Sequence, residues 1–349
     1  MTSKRSRIFY LDLVRAIAVL LIVLCHYNAN FIGYNGPVQL EKIVFFEYPF
    51  GIYIGDLGVG LFMLISGAAM WHVYGAQKLN YFKFIKKRLL SILPMFYIAY
   101  LAAFLFQFWL NRGFNATGIS LKYFISTILG FDSLFATLGL PNFMLVGEWF
   151  IGMIIVIYLL FPIIKQLVAR SSLFSLAIAV IIEIIVNIPV QVVSTNWHFL
   201  QLTIGYVPIF IAGMLIQKHT KSFKRPWLLI PSLITLVLNS FIDQTIINAK
   251  IQMIYISIAF FLIAILVAKY FDQTLCRNVV NLICKYSYAI FLTHHFITNQ
   301  LVKHFDIQLI SIRQSYILFF MTLPVIFFCS WALYKLNTAF FQLFKKQTG

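Results

Sequence analysis

The stretch 8–30, IFYLDLVRAIAVLLIVLCHYNAN, decides how the rest of the chain reads. Its Leu, Ile, Val and Ala predict a membrane-spanning helix, because about 20 consecutive apolar residues cross the hydrocarbon core. Yet the same stretch carries Asp12, Arg15 and His26. Ionisable groups inside hydrocarbon are costly and persist where they face a bundle interior or an aqueous cavity. Arg15 and His26 are eleven positions apart, about three helical turns, so they share one face roughly 16 Å apart along the axis. Asp12, three positions before Arg15, is placed to pair with it. One stripe of one helix thus holds a guanidinium near its start and an imidazole deeper in. The two are expected to line one continuous passage through the lipid.

The whole chain agrees with that reading. Of its 349 residues 61% are hydrophobic and 11% charged, with mean hydropathy +0.89, whereas a soluble domain is about 25% charged. A net charge of +17 in a soluble protein would point to nucleic acid. Here the basic residues are scattered over many short loops, which argues against a nucleic-acid interface and for the positive-inside bias of membrane proteins. Cys25, Cys276, Cys284 and Cys329 form no C-x-x-C pair and read as free thiols. The basic N-terminus before a long apolar run reads as a retained signal anchor.

Ten apolar stretches are expected to span, near 8–30, 50–74, 84–110, 146–169, 173–190, 199–218, 226–243, 251–270, 283–303 and 313–342. With the N-terminus inside, 20 Lys and Arg fall in cytoplasmic segments and six outside, the asymmetry that sets orientation. The fold expected is all-α: a polytopic membrane helical bundle of about ten transmembrane helices with both termini cytoplasmic. It forms a single domain over 1–349, with no soluble domain and no internal repeat. The loop 111–145 is the longest, and ISLKYFISTILGFDSLFATLGL within it reads as an amphipathic interfacial helix. The sequence NAT at 115–117 matches a glycosylation sequon.

LDLVRAIAVLLIVLCH resembles the opening of the acyltransferase-3 family of integral-membrane acyltransferases, which carry a basic residue, ten intervening positions and a histidine. GVGLFMLISG at 58–67, KKRLLSILPMFY at 86–97, GEWFIGMIIVIYLLFP at 147–162 and KYSYAIFLTHH at 285–295 follow in the family's order. The resemblance covers nearly the whole chain. It implies transfer of an acyl group, commonly acetyl, from cytoplasmic acyl-CoA to a hydroxyl of an extracytoplasmic envelope glycan or its lipid-linked precursor. It implies no metal. Plasma membrane is the location expected, with lipids around the protein, a glycan or lipid-linked sugar as acceptor, and room for envelope-synthesis partner proteins.

Site residues follow from chemistry and resemblance together. A neutral imidazole at His26 is suited to take the proton of an attacking hydroxyl, against the reading of a histidine satisfied by a backbone carbonyl. Arg15 reads either as a phosphate contact for acyl-CoA or as the partner of Asp12. Lys86, Lys87 and Arg88 read as positive-inside anchoring. The resemblance adds a donor contact, although the family's R-x-x-R pattern has Ser91 at its second position, and Gly60 stands where many members have Asp. Glu148 reads as a group that orients His26, or as a carboxylate at a helix N-terminus. Adjacent helical positions diverge by about 100°, so only one of His294 and His295 is expected to face the cavity, and the resemblance, whose match falls on His294, implies that it is the one beside the acyl group. No helical i,i+4 histidine pair accompanies them, which argues against zinc. Asp56 has a position like that of Glu148 on the second helix, Trp149, Trp197 and Tyr206 are candidate glycan contacts, and Glu183 has no assigned partner. The competing function class is a multi-span exporter of glycan or lipid-linked sugar. Buried charges fit it generically, while the lack of a repeat argues against it.

Overall fold

A computed structural model describes residues 7–33, 38–113, 121–147, 149–187, 201 and 203–347. Among them the regular structure is helical. The principal helices are α1 (Phe9–Asn28), α2 (Ile54–Tyr74), α3 (Tyr81–Leu110), α4 (Trp149–Arg170) and α5 (Ser172–Val186). They continue with α6 (Val207–Lys218), α7 (Leu229–Asn239), α8 (Ala249–Phe271), α9 (Thr274–Val302) and α10 (Ile312–Gln347). Each of the ten expected stretches therefore carries a helix, but they are not equivalent. Six are long and apolar enough to cross a membrane: α1, α2, α3, α4, α8 and α10. The apolar helices at 172–186, 204–218 and 226–239 are shorter. Fifteen residues rise only about 22 Å, less than the ~30 Å hydrocarbon core. Helix α9 has length in excess, 29 residues, but Arg277, Lys285, His294, His295, Asn299 and Gln300 lower its hydropathy.

Of the six long apolar helices, α1 and α2 are the most buried, and α3 and α10 the least. The charged first helix thus sits at the centre of the bundle. Glycine brings its neighbours close. Carbonyl and amide groups of α6 (Phe210, Met214) occupy the space a Cβ on Gly67 of α2 would need, and Leu64 of α2 does the same to Gly213 of α6. This is the small-residue packing by which membrane helices gain van der Waals contact. Gly58 of α2 leaves room for Ile22 and the Ala18 carbonyl of α1. Cross-links of polar groups tie α1 to the rest: Cys284 donates to the Asp12 carbonyl at 3.0 Å, and the Tyr27 hydroxyl donates to the Ser315 carbonyl at 2.6 Å.

The loop at 121–147 differs from expectation. It is not one amphipathic helix but two short ones, Phe124–Leu129 and Asp132–Thr137, broken where Gly130 takes φ 75°. Asp132, fully buried, accepts hydrogen bonds from the hydroxyls of Ser126 (2.7 Å) and Thr127 (3.0 Å). A left-handed glycine and a buried carboxylate fold the segment back on itself, which sequence amphipathicity alone does not reveal. The Tyr100 hydroxyl pins its far end by donating to the Phe143 carbonyl at 2.8 Å. The sequon at 115–117 lies outside the described residues.

Candidate functional site

Two levels of the bundle collect polar chemistry. At the first, near the start of α1, Asp12 is buried and receives Arg7 at 2.9 Å and Arg15 at 3.4 Å. The Arg15–Asp12 pairing is the one its spacing predicts. Arg15 keeps a side-chain exposure of 32%, so it is not consumed by packing. From α3, Arg88 turns inward. Its guanidinium lies over the rings of Tyr74, Phe84 and Tyr158 at 5.1, 5.7 and 5.7 Å and donates to the Tyr74 hydroxyl at 2.6 Å. Tyr158 of α4 is hydrogen-bonded to Arg88 and lies within electrostatic reach of Arg15. Among the described residues Arg88 has no carboxylate partner, and its Nε is buried without a hydrogen bond. A caged cation without a counter-ion is a ready anion site. Tyr288 of α9 borders Tyr158 and donates to the Ile92 carbonyl at 2.9 Å.

The neighbouring cations go elsewhere. Lys86 and Lys87 are exposed and border a surface cavity with Lys83, Leu90, Ser91 and Phe341. They point away from the ring cage that holds Arg88, because consecutive helical positions diverge by about 100°. Ser91 also faces that outer cavity, its hydroxyl donating to the Arg88 carbonyl at 2.7 Å.

At the second level His26 of α1 meets α9. Its ring centroid is 4.8 Å from those of both His294 and His295, each edge-on. The expectation that only one of the adjacent pair faces His26 is therefore corrected. Side chains at i and i+1 straddle the ridge of α9, and a ring from the crossing helix wedges between them. His294 Nδ1 bonds the Ile290 carbonyl at 3.0 Å. A carbonyl only accepts, so the neutral ring carries its proton on Nδ1 and its lone pair on Nε2. That Nε2 is buried with no partner among the described residues. Asn299 bonds His295 Nε2 at 3.3 Å. Phe62, Phe150 and Phe291 from α2, α4 and α9 pack together beside His294. They form an apolar wall beside His294.

Part of the stripe between the two levels is packed. Ala18 and Ile22, which lie on the Arg15–His26 face, are buried, and Ile22 rests on Gly58 of α2. Part of the α1 face expected to line a continuous passage is instead packed against α2. Shape complementarity between α1 and the glycines of α2 fills the gap.

Toward the other end, Trp149 and Tyr206 come together at 6.3 Å between ring centroids. Lys250 sits over the Tyr206 ring at 3.9 Å and donates to its hydroxyl at 2.7 Å. Glu183 accepts from the Asn187 amide at 2.6 Å, which gives it the partner its sequence position did not identify. Glu148 and Trp197 lie outside the described residues. No group of three or more His, Cys, Asp or Glu arranged to hold a metal occurs among the described residues. Sequence reasoning missed His295, Tyr74 and Tyr158. The one available signal for Tyr158 was a hydroxyl inside the apolar run IGMIIVIYLL, since a buried tyrosine hydroxyl needs a partner.

A helical bundle with six helices of membrane-spanning length, imidazoles gathered at one level and guanidiniums at another, defines a membrane protein with ionisable groups in its interior. The sequence model of the acyltransferase-3 family, described as an acyltransferase domain, matches residues 8–335. The chain belongs to this family and is a membrane acyltransferase. No curated relative and no solved structure matches it.

Proposed function

We propose that the protein transfers an acyl group, acetyl in the simplest case, from cytoplasmic acyl-CoA to a hydroxyl of a cell-envelope glycan or its lipid-linked precursor across the plasma membrane. The observation that carries this reading is the convergence of His26, His294 and His295 from helices far apart in sequence, in contact at 4.8 Å. His26 takes the proton of the acceptor hydroxyl as its oxygen attacks the thioester carbonyl. The carbon–sulfur bond breaks, and the thiolate leaves with the electron pair and is protonated to the free thiol. His294, with its tautomer fixed, offers a lone pair beside His26 and steadies the imidazolium that forms.

Arg88, caged and without a counter-ion, and Arg15 hold the phosphate end of the donor. The two levels are roughly 16 Å apart, so an extended pantetheine arm running between them brings the thioester to His26. Ile22 has to give way for the arm to pass. Lys86 and Lys87, on the outer flank, contribute only to the positive field at that face. Glu148 is proposed to orient His26, and Trp149 with Tyr206 to stack against the sugar. In this arrangement ten helices cross or enter the bilayer and both termini are cytoplasmic.

The test is an assay of purified protein with acetyl-CoA and envelope glycans, reading free thiol and acetylated glycan together. His26→Ala should elute as the native protein does and lose acyl transfer by about 10²–10⁴-fold, the usual contribution of a general base. Full transfer by that variant, or movement of unmodified glycan without thiol release, would overturn the proposal.

A further inference from the structure

Two cavities lie along α3 where it runs beside α10. Near the start of α3, Lys83, Lys86 and Lys87 border a space of about 540 Å³ floored by Leu90 and Phe341. None of the three lysines makes an ion pair among the described residues. Three ammonium groups around one cavity repel each other unless an anion sits among them. Further along the same seam lies a cavity of about 420 Å³. Its walls include Ala99 and Ala102 of α3, Cys329 and Ala332 of α10, and Ile297 and Leu301 of α9, which closes its inner side. Small side chains on α3 and α10 open this space. Ile98, which also lines it, lies eleven residues beyond Lys87, about 16 Å along the helix, the depth that one leaflet's chains reach.

We infer that this seam is a binding site for one anionic phospholipid, its phosphate among Lys83, Lys86 and Lys87 and an acyl chain in the apolar cavity above. Charge complementarity at one end and hydrocarbon at the other fit a lipid and not a nucleotide. A simple nucleotide's phosphates would meet the lysines but leave the apolar end empty, and the coenzyme A competition below distinguishes the donor from a lipid. Arg88, held by Tyr74, Phe84 and Tyr158, does not line either cavity. The site stands whether or not the assignment of the donor groups does.

The experiment is native mass spectrometry of the full chain, released from micelles containing phosphatidylglycerol or phosphatidylcholine, with and without excess coenzyme A. A juxtamembrane lysine contributes about 1 kcal/mol toward anionic lipid, so three that share one site should favour phosphatidylglycerol by at least about tenfold. The triple variant K83A/K86A/K87A should bring that ratio to near unity, and Ala102→Trp, which fills the apolar cavity, should lower phosphatidylglycerol retention. Coenzyme A should not displace the lipid. Equal retention of the two lipids by the native chain, displacement by coenzyme A, or unchanged retention in either variant would overturn the site. The lipid comparison and the coenzyme competition use the unmodified protein, so they decide the matter even where a variant fails to fold.

Discussion

His294 spends one nitrogen on its own helix and leaves the other bare, and this asymmetry is what gives the residue a chemical use. A histidine bonded at both nitrogens would be structural, whereas one fixed at Nδ1 presents a lone pair of known position beside His26. Arg88 shows the same economy. Tyr74, Phe84 and Tyr158 hold its guanidinium by their faces, so its charge is oriented without being neutralised. A lysine would retain the charge but not the planar stacking or the paired donors. Arg88→Lys is therefore expected to raise the KM for acyl-CoA about tenfold, with kcat little changed, one lost charge-assisted hydrogen bond being worth roughly 1.5–3 kcal/mol. Steady-state kinetics at saturating acceptor checks this, and an unchanged KM would remove Arg88 from the donor site.

At the scale of elements, close helix contacts and stitched loops set where these side chains stand. Helices α2 and α6 approach through Gly67 and Gly213, each lying against the partner's backbone. Backbone has no rotamer to move, so an added methyl must push the helices apart. Gly67→Ala is expected to lower stability by about 1–3 kcal/mol, the usual cost of overpacking. Thermal unfolding in detergent reads this, and an unshifted midpoint would refute the close contact. On the other side of the bundle the Asn28 amide donates to the carbonyls of Val44 (3.1 Å) and Phe46 (3.2 Å). The Lys42 ammonium donates to the carbonyls of Ile307 (2.8 Å) and Gln308 (2.9 Å). The segment after α1 is thus tied both to α1 and to the turn between α9 and α10. The helices that carry the three histidines are held together at that end by the same network.

For the molecule as a whole, the distribution of Lys and Arg predicts that the turn after α2 is cytoplasmic and the turn before α10 external. With the four native cysteines replaced, Lys78→Cys should resist an impermeant maleimide in intact cells and Asp306→Cys should react. The reverse pattern would invert the proposed orientation and with it the side from which donor and acceptor arrive. The helices themselves were legible because apolar runs of spanning length have few other fates. Three of the apolar helices are shorter than the six of spanning length among the described residues; hydropathy alone does not show this, because it reports where apolar residues are and not the length of the helix that carries them. The Arg15–Asp12 pair was legible too, since both groups lie on one turn. His295 was not: a helical wheel sees one helix, and the contact belongs to two.

The amino-acid sequence by itself determined that this is a helical membrane protein of the acyltransferase-3 family, and that a guanidinium and an imidazole share one face of its first helix. Local periodicity and composition carry that information, because the cost of burying backbone and charge in hydrocarbon acts residue by residue. Only the tertiary structure decided that α9 brings two histidines to His26, that Arg88 and not its lysine neighbours turns inward, and that Ile22 packs on Gly58 of α2 between the two levels. Those facts depend on how helices distant in the chain cross and rotate against one another, and packing fixes that only when the whole bundle is assembled.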